Sequence, residues 1–249
     1  MDVVAQLRAA GCVFAEEEAA LLAESATGDA LTQLVRRRCA GEPLEHLLGF
    51  VDFCGRRYQV SPGVFVPRQR SGLLVETAVE HGGSVILDLC CGCGALGLAV
   101  RDRLDPAVDL VASDVSPAAV ADARANGVTE AFAGDLFDAV PLSLRGRVDL
   151  LLLNAPYVPS AAVAGMPPEA RDHEPRVALD GGPDGTDVQR RVLEAALGWL
   201  SSTGALLTET SNAQAPALSR LAGELGWTSS VVTDAERGAT VLVALGSVG

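Results

Sequence analysis

The segment VDLLLLN, residues 148–154, carries four consecutive leucines and ends in an asparagine. A strand with one solvent face alternates apolar and polar residues, whereas an unbroken apolar run is typical of a strand buried on both faces of a parallel sheet. Other candidate strands occur at 84–90, 109–115 and 129–135, and helical patterns lie between them. This alternation predicts an α/β fold in which helices cover both faces of a mostly parallel sheet.

The last third of the chain continues the alternation. A helix in DVQRRVLEAALGWL, a strand in GALLTET and a helix in APALSRLAGELG are followed by two closely spaced strands, WTSSVVTD and ATVLVALG. Their close spacing favours an antiparallel pair at the edge of the sheet. Between Asn154 and the first of these helices lie about 30 residues rich in proline and glycine, and loops of that length are usually functional or disordered.

Three regions are predicted along the chain. Residues 1–48 show the pattern of short amphipathic helices, with Asp29 as an N-cap. Residues 49–71 change to a period near two and contain glycine turns, which indicates a β-hairpin linker. Residues 72–249 then form the α/β domain.

Composition and charge restrict the partners. The 249 residues include 19 basic and 32 acidic side chains, a formal net charge of −13, which repels a phosphate backbone unless basic residues cluster. The dense basic run Arg36–Arg38 is interpreted as the solvated last turn of a helix. Because no apolar run reaches the roughly 18 residues of a membrane span and the N-terminus lacks a signal-peptide pattern, we expect a cytoplasmic protein with no direct nucleic-acid or membrane partner.

Half of the six cysteines fall in the segment LCCGCG, residues 89–94. A structural zinc site needs about four ligands at suitable spacing, and neither a second C-x-x-C nor an H-x-H follows. Adjacent cysteines in a tight loop are also poorly placed to pair with each other. We therefore expect reduced thiols and no metal.

A glycine-rich loop follows the candidate strand at 84–90. Gly92, Gly94 and Gly97 form a Gly-x-Gly-x-x-Gly pattern before a predicted helix, and Asp114 ends the next strand. In dinucleotide-binding folds such glycines let the backbone approach the ligand, and the carboxylate accepts hydrogen bonds from ribose hydroxyls. Taken alone, the pattern fits an enzyme that uses a nicotinamide dinucleotide.

Two further carboxylates favour S-adenosylmethionine (SAM). Asp88 lies four residues before the first glycine, where a negative group repels a pyrophosphate and attracts the sulfonium and ammonium of SAM. Asp135 ends the third strand, where it can accept a hydrogen bond from an adenine amino group, and Phe137 can flank the ring. The alternative for Asp135 is a turn or cap residue.

The sequence Asn-Ala-Pro-Tyr at 154–157 places a side-chain amide at a strand end. A substrate amide nitrogen is a poor nucleophile, but it becomes usable when acceptors hold both N–H bonds and aim the remaining lobe at a methyl donor. The side-chain oxygen of Asn154 and the carbonyl of Ala155 can supply these acceptors. Pro156 restricts Ala155 to an extended conformation, and Tyr157 can pack over a planar group.

These residues resemble the release-factor glutamine methyltransferases, which methylate a glutamine side-chain amide in a Gly-Gly-Gln motif. The segment GEPLEHLLGFVDFCGRRYQVSPGVFVPR is similar to the family's linker, LDLCCGCGALGLAV to its SAM loop, NAPY to its Asn-Pro-Pro-Tyr, and HEPRVALDGGPDG to the segment after that motif. The last is the most specific, because Asn-Pro-Pro-Tyr also marks adenine and cytosine amino-methyltransferases. The resemblance implies a Rossmann-like SAM-dependent methyltransferase fold with a mostly parallel seven-stranded sheet, behind a small helical substrate-recognition domain. It also implies a protein substrate with an accessible glutamine, such as a peptide chain release factor.

The predicted site therefore has a catalytic part and a cofactor part. The predicted catalytic residues are Asn154, Ala155, Pro156 and Tyr157. The predicted SAM-binding residues are Asp88, Cys90, Gly92, Gly94, Asp114, Val115, Asp135, Leu136 and Asn154.

Two segments depart from the family pattern. Ala155 replaces the first proline of Asn-Pro-Pro-Tyr, and PRQRSG at 67–72 stands where the family reads Pro-Arg-Pro-x-Thr-Glu. The helical region is also shorter than expected for the family. The identity of the substrate protein therefore does not follow from the resemblance.

Other functions stay open. Methylation of a nucleobase amino group is disfavoured by the acidic balance and by the lack of a basic extra domain. A small-molecule amide is another candidate acceptor, an NAD-dependent oxidoreductase fits the glycine loop, and a non-catalytic SAM-binding module leaves the strand-end amide unexplained. His173 is interpreted as a loop-packing residue, because a methylated amide cation is acidic enough to lose its proton to water.

Overall fold

The computed structural model describes residues 2–246, and the chain begins with a cluster of short helices. These are α1 (Val3–Ala9), α2 (Ala15–Ser25), α3 (Gly28–Cys39) and α4 (Leu44–Leu48). Their apolar sides meet around Leu7, Leu22 and Val35, which are fully buried. The helices predicted here are present, but the N-cap prediction for Asp29 is wrong. Because α3 begins at Gly28, Asp29 lies inside its first turn, where a carboxylate still interacts favourably with the helix dipole.

The basic run at the end of α3 is only partly exposed. Arg36, Arg37 and Arg38 all lie in the last turn of the helix, as predicted. Arg38, however, is 6% exposed. Its guanidinium donates to Glu18 of α2 (Nε to Oε2, 2.6 Å) and pairs with the distant Glu169 (Nη1 to Oε1, 2.6 Å). The prediction of a solvated turn is therefore wrong for Arg38, whose charge is matched by carboxylates from two segments.

The predicted hairpin follows the helices. Strands β1 (Phe50–Phe53) and β2 (Arg56–Gln59) pair antiparallel, and an irregular stretch with a final 3-10 turn at Gln69–Ser71 leads into α5 (Gly72–His81). The sequence interpretation did not include α5. Phe53 and Tyr58 are buried in the core on one side of the large sheet, so the hairpin is attached to that sheet by packing.

Strands and helices then alternate as predicted. The elements are β3 (Val85–Leu89), α6 (Ala95–Leu104), β4 (Asp109–Asp114), α7 (Pro117–Asn126), β5 (Glu130–Ala133), β6 (Val148–Leu153), α8 (Pro168–His173), α9 (Asp187–Ala196), β7 (Leu200–Glu209), α10 (Ala215–Glu224), β8 (Trp227–Asp234) and β9 (Ala239–Gly246). They form a seven-stranded sheet in the order β5-β4-β3-β6-β7-β9-β8. The strands from β5 to β7 in this order run parallel, and β9 is antiparallel to both β7 and β8. The predicted mostly parallel α/β sheet with an antiparallel edge pair is confirmed.

The four leucines of β6 explain why that strand lacks alternation. Side chains along a strand point to opposite faces in turn. Leu150 and Leu152 enter the core shared with α5, α6 and α7, whereas Leu151 and Leu153 enter the core shared with α9 and α10. All four are fully buried, and each contributes about 1.5–3 kcal/mol by leaving water.

The stretch after Asn154, predicted as a long loop, has structure of its own. Two 3-10 turns, Val163–Gly165 and Arg176–Ala178, flank α8. Glu174 is buried, accepts a hydrogen bond from the backbone of Val66 (3.3 Å) and pairs with Arg68 (2.5 Å). We call residues 155–185 the post-strand segment; Glu174 holds it against the linker.

The lengths of the helices bear on membrane insertion. A span needs about 20 residues, whereas α3, for example, has 12. Within residues 2–246 no helix is both long enough and apolar enough to cross a bilayer.

Candidate active site

A crevice opens where the order of the strands reverses. Because β3 lies between β4 and β6, the connections on its two sides lead away in opposite directions, and open α/β sheets bind ligands at such a switch point. A cavity of about 340 Å³ occupies this edge, within the usual size range of ligand pockets. Its walls come from the linker, the strand ends, the post-strand segment and α9, through Gly63, Val64, Phe65, Cys90, Gly92, Ser113, Asp114, Val115, Ser116, Ala119, Asp135, Leu136, Asn154, Pro156, Pro175, Val177, Ala178, Val188 and Arg191.

Asp114 binds the backbone of the glycine loop. Its Oδ2 accepts a hydrogen bond from the backbone of Gly92 (2.9 Å), and its Oδ1 accepts one from the backbone of Ser116 (2.8 Å). Cys90 and Gly92 have φ values of 57° and 54°, a left-handed conformation that is strained for cysteine and free for glycine. Burial raises the pKa of the Asp114 carboxyl. Asp114 therefore lines the cavity with a carboxylate whose orientation is fixed by two backbone hydrogen bonds.

The remaining motif glycines serve close packing. A Cβ at Gly94 would lie 2.9 Å from Val128 and 3.1 Å from Ala123, on the α7 side, and Gly94 is absent from the cavity lining among the described residues. A Cβ at Gly97 would lie 2.9 Å from the Asp88 carboxylate. The structure thus brings Gly92 to the cavity and places Gly94 against α7.

Asp88 is a buried carboxylate with little to balance its charge. It is 1% exposed, its Oδ2 accepts a hydrogen bond from the backbone of Gly97 (3.0 Å), and within residues 2–246 it forms no ion pair. Burial, with a smaller contribution from Asp114, raises its pKa to about 7. A small recess of about 30 Å³, lined by Asp88, Ser71 and Asn154 among others, joins this carboxylate to the strand ends.

Asp135, Leu136 and Val115 line the far wall of the cavity. Asp135 Oδ2 pairs with Arg191 of α9 (2.7 Å), and both side chains are about half exposed. The ring of Phe137, predicted to flank an adenine, instead stacks on Trp199 (centroids 5.1 Å apart) and lines a neighbouring cavity. Arg191 was not singled out from the sequence, because nothing in a helical arginine indicates which strand end it faces.

The Asn-Ala-Pro-Tyr residues divide between cavity and core. Asn154 and Pro156 line the cavity, whereas the Ala155 side chain is 2% exposed and packs in the core beneath α9 and α10. The Tyr157 hydroxyl accepts a hydrogen bond from Arg70 (Nη2, 2.7 Å) and donates one to Glu209 (2.9 Å). Burial raises the pKa of Tyr157 to about 12, so the hydroxyl keeps its proton near neutral pH.

Glycines of the post-strand segment hold the backbone of this strand end. Gly181 donates its N–H to the carbonyl of Val158 (2.9 Å), and a Cβ at Gly181 would lie 2.6 Å from the carbonyl oxygen of Pro156. A Cβ at Gly185 would clash with the carbonyl of Tyr157 and the amide of Gln214. The resemblance of this segment to the family therefore has a steric basis, since only glycine allows the backbones to approach so closely.

Two of the three cysteines of the loop are buried, whereas Cys90 lines the cavity. Cys91 and Cys93 are 7% and 1% exposed, and burial raises the pKa of both thiols. All six cysteines are free. Among the described residues, no group of three or more His, Cys, Asp and Glu side chains is arranged to hold a metal ion.

Sequence reasoning missed three residues that join this site. Arg70, Ser71 and Glu209 connect to Tyr157 and Asn154 by hydrogen bonds. Arg70 and Ser71 lie in the departing segment PRQRSG, and Glu209 ends the strand GALLTET. A buried acid at the end of a strand was the available signal, although its partners lie 138 and 52 residues away along the chain.

Known proteins resemble the chain in sequence. A family model described as a methyltransferase small domain matches residues 58–166. Proteins named release factor glutamine methyltransferase are 38% identical in Moorella thermoacetica, over 85% of this chain and 75% of the relative, and 38% identical in Geobacter sulfurreducens, over 73% and 65%. The relative in Mycolicibacterium smegmatis is 40% identical over 72% of this chain and 66% of its own. The match thus spans just under two thirds of the Geobacter and Mycolicibacterium proteins.

Solved structures share the fold at low identity. A methyltransferase from Pyrococcus furiosus superposes with a TM-score of 0.55 at 14% identity, covering 75% of this chain and 88% of that one. A T. thermophilus 16S rRNA N2 methyltransferase in complex with AdoMet and guanosine gives 0.53 at 20% identity, covering 80% and 44%. The fold is that of SAM-dependent methyltransferases. Because the Moorella relative is 38% identical over three quarters of its own length, this chain belongs to the release factor glutamine methyltransferase family.

Proposed function

We propose that this chain transfers a methyl group from SAM to the side-chain amide of a glutamine in a protein, and that a peptide chain release factor is the substrate. The observation that carries the proposal is the position of Asn154, which ends β6 and lines the same cavity as Asp114 and Asp135. A side-chain amide thus lines the same cavity as the carboxylates expected to bind the cofactor. The names of the relatives support the choice of substrate.

The residues of the cavity fit SAM. Asp114 offers a half-buried carboxylate to ribose hydroxyls, and Val115 and Leu136 offer apolar surface to an adenine ring. Asp88, which lacks an ion-pair partner among the described residues, suits the ammonium group, because a cation beside a desolvated carboxylate relieves its unfavourable charge. When bound, SAM supplies an electrophilic methyl group on a positively charged sulfur.

Asn154 and Ala155 then orient the acceptor. The Asn154 side-chain oxygen and the Ala155 carbonyl accept the two N–H bonds of the substrate amide, which directs the nitrogen lone pair at the methyl carbon. Pro156 restricts the backbone of Ala155. The amide nitrogen forms a bond to the methyl carbon as the carbon–sulfur bond breaks, and the electron pair of the broken bond stays on sulfur. The methylated amide then becomes neutral by giving one proton to water.

The proposal is tested with a purified bacterial release factor that contains Gly-Gly-Gln. The protein is incubated with methyl-tritiated SAM and the release factor, and the labelled peptide is mapped by mass spectrometry. We expect one methyl group on the glutamine of the motif. A release factor with that glutamine replaced by alanine is the matched substrate control and should stay unlabelled.

Two results would contradict the proposal. Label that appears on the alanine control places the methyl group elsewhere on the protein. The same incubation with a cell extract in place of the purified release factor tests for the second result. Label on RNA or on a small molecule of the extract, with none on the release factor of the extract, would show that the methyl acceptor is not glutamine.

A further inference from the structure

Glu209 lies at the carboxyl end of β7 and gathers hydrogen bonds from three side chains. Its Oε2 accepts one from the Ser71 hydroxyl (2.5 Å), and its Oε1 accepts one from the Tyr157 hydroxyl (2.9 Å) and one from Arg70 Nε (3.1 Å). Glu209 is 2% exposed and Ser71 is also 2% exposed. The carboxylate is therefore a buried acceptor whose donors come from the linker and from Asn-Ala-Pro-Tyr.

The direction of each of these hydrogen bonds is determined by chemistry. Arginine can only donate and a carboxylate can only accept, so the Tyr157 hydroxyl accepts from Arg70 and must give its own proton to Glu209. Ser71 has a single hydroxyl proton, and that proton is committed to Glu209. Any further hydrogen bond at Ser71 Oγ must therefore use a lone pair.

Asn154 supplies the partner for that lone pair. Its Nδ2 lies 3.4 Å from Ser71 Oγ, a distance at the long end for N–H···O, and such bonds in catalytic sites often shorten when substrate binds. The two ends of an asparagine amide have nearly the same shape but opposite hydrogen-bonding roles. With Ser71 able only to accept at this point, the NH₂ end of Asn154 turns toward Ser71 and Oδ1 turns away from it.

We propose that Ser71 and Glu209 are positioning residues that determine which end of the Asn154 amide is presented to the methyl acceptor. The inference rests on the proposed function, since a glutamine amide arrives with two N–H donors and needs an oxygen opposite them. With the Asn154 amide reversed, donors would face donors. Arg70 and Tyr157 complete the arrangement by filling the other oxygen of Glu209, which leaves Oε2 to Ser71.

This arrangement gives a role to part of the segment that departs from the family. PRQRSG keeps a hydroxyl, at Ser71, where the family pattern has threonine, and the structure shows that hydroxyl between Glu209 and Asn154. Ser71 also lines the small recess beside Asp88, so a direct contact with the cofactor is the competing role. The Kd for SAM and the exchange rate of the Asn154 amide protons distinguish cofactor contact from positioning of Asn154.

A direct measurement uses the side-chain amide of Asn154. The chain contains three asparagines, Asn126, Asn154 and Asn212, so selective ¹⁵N-asparagine labelling yields three side-chain NH₂ pairs, and Asn154→Asp identifies its own by loss. We expect Ser71→Ala to speed exchange of the Asn154 NH₂ protons with water about tenfold. Ser71→Thr should restore slow exchange. If Ser71→Ala leaves the exchange rate at the wild-type value, the proposed contact is absent.

Glu209→Gln tests the second half of the inference. A glutamine at this position can donate as well as accept, so the Ser71 proton is no longer committed and the orientation of Asn154 is no longer imposed. We expect the Asn154 NH₂ pair to lose protection although the substituted side chain does not touch it. Full protection in Glu209→Gln, with SAM binding and thermal unfolding like wild type, would overturn the role of Glu209.

Kinetics with the release factor supply an independent readout. Ser71→Ala should lower kcat about tenfold to a hundredfold with little change in the Kd for SAM, and Ser71→Thr should recover most of that loss. In an Asn154→Ala background, Ser71→Ala should have almost no further effect, because a residue acting through Asn154 has nothing left to orient. The inference is contradicted if Ser71→Ala lowers the affinity for SAM. It is also contradicted if Ser71→Ala reduces kcat by the same factor in the wild-type protein and in Asn154→Ala.

Ser201→Ala is the matched control. Ser201 also donates its hydroxyl to a carboxylate, that of Asp149 (2.7 Å), but at the amino end of the sheet. Its removal should change neither Asn154 exchange nor kcat. If the wild-type protein does not methylate the release factor but the Asn154 exchange rates change as expected in the Ser71 and Glu209 variants, the proposed function is wrong and the hydrogen bonds from Glu209 through Ser71 to Asn154 are confirmed.

Discussion

Lowering the pH from about 7.5 to about 5.5 is expected to weaken SAM binding through Asp88. Burial, with a smaller effect of Asp114, raises the pKa of this carboxyl to about 7 in the free protein. The thiols of Cys90, Cys91 and Cys93 also line the recess beside it, and burial raises the pKa of each, which keeps them neutral. A bound cation stabilises the carboxylate and lowers its pKa, so the complex holds fewer protons than the free protein.

The magnitude follows from that linkage. Below a free pKa of about 7, each pH unit reduces the affinity up to tenfold, about 1.4 kcal/mol. Between about pH 7.5 and about pH 5.5 the loss is roughly 25-fold. An α-amino group with a pKa of about 7.7–8.0 is mostly charged below about pH 7, so the protein carboxyl sets the slope between about pH 7 and pH 5.5.

The raised pKa also predicts how the free protein's stability varies with pH. The folded state keeps the Asp88 proton up to about pH 7, whereas the unfolded chain loses it near the ordinary value of 3.8. The contribution of this group to the free energy of unfolding is therefore largest below pH 3.8 and is lost as the pH rises to about 7.

Calorimetric titration of SAM across this range, in buffers with different ionisation enthalpies, measures both the affinity and the protons released. Wild-type protein should release close to one proton near pH 6. Asp88→Asn should bind more weakly at pH 7.5 and lose the pH dependence, whereas Asp149→Asn, at the opposite edge of the sheet, should keep it. A flat profile in wild type, or an unchanged slope in Asp88→Asn, refutes the assignment.

Three other predictions concern the cofactor, the methyl acceptor and the packing of the post-strand segment. Asp114→Ala should weaken SAM binding by about 1–3 kcal/mol, since a charge-assisted acceptor is lost, and calorimetry that shows unchanged affinity would count against it. Asn154→Ala should bind SAM normally and lower kcat about 10²-fold to 10³-fold. The kcat of Asn154→Asp should lie between those of wild type and Asn154→Ala because one acceptor oxygen remains, and Ala155→Pro should stay active because the proposed contribution of Ala155 is its backbone carbonyl. A wild-type rate of methyl transfer by Asn154→Ala contradicts this order. Gly185→Ala should reduce the free energy of unfolding by about 2–4 kcal/mol, because φ at Gly185 is +77° and the added methyl group clashes with the carbonyl of Tyr157. Gly165→Ala is the control, since a Cβ at Gly165 meets nothing within 4 Å. Equal urea unfolding curves for these two variants would rule out this packing account.

Local patterns carried the prediction of the sheet, because period and apolar content reflect the number of buried faces. The four leucines of β6 predicted a strand that is buried on both faces. The apolar run of β4 likewise predicted a strand, and Asp114 was recognised as a candidate ligand because it ends that run. Gly94 shows the limit: the same letter in the same motif can face a ligand or a neighbouring helix, and only the packing of α7 decides. The prediction of a cofactor role for Gly94 stays a prediction.

The contacts around Glu209 were beyond local reasoning. An acid at the end of GALLTET is compatible with solvent, with a cap or with burial, and its burial depends on a linker that is distant in the chain. The solvated interpretation of Arg38 failed for the same reason, since its partners Glu18 and Glu169 come from other segments. Patterns along the chain indicate which face is buried, but they do not identify long-range polar partners.

The position of Arg38 has a consequence for protein engineering. The resemblance to the family implies that α1–α4 recognise the substrate, and a chimera that exchanges these helices for those of a relative separates Arg38 from Glu169 of α8. Glu169 is 48% exposed and the other partner of Arg38, Glu18, lies in α2 and moves with Arg38, so the loss of this one contact costs on the order of 1 kcal/mol. The polar contacts of the helical cluster are therefore discontinuous in the sequence, and a chimera that also carries α8 keeps the Arg38–Glu169 pair.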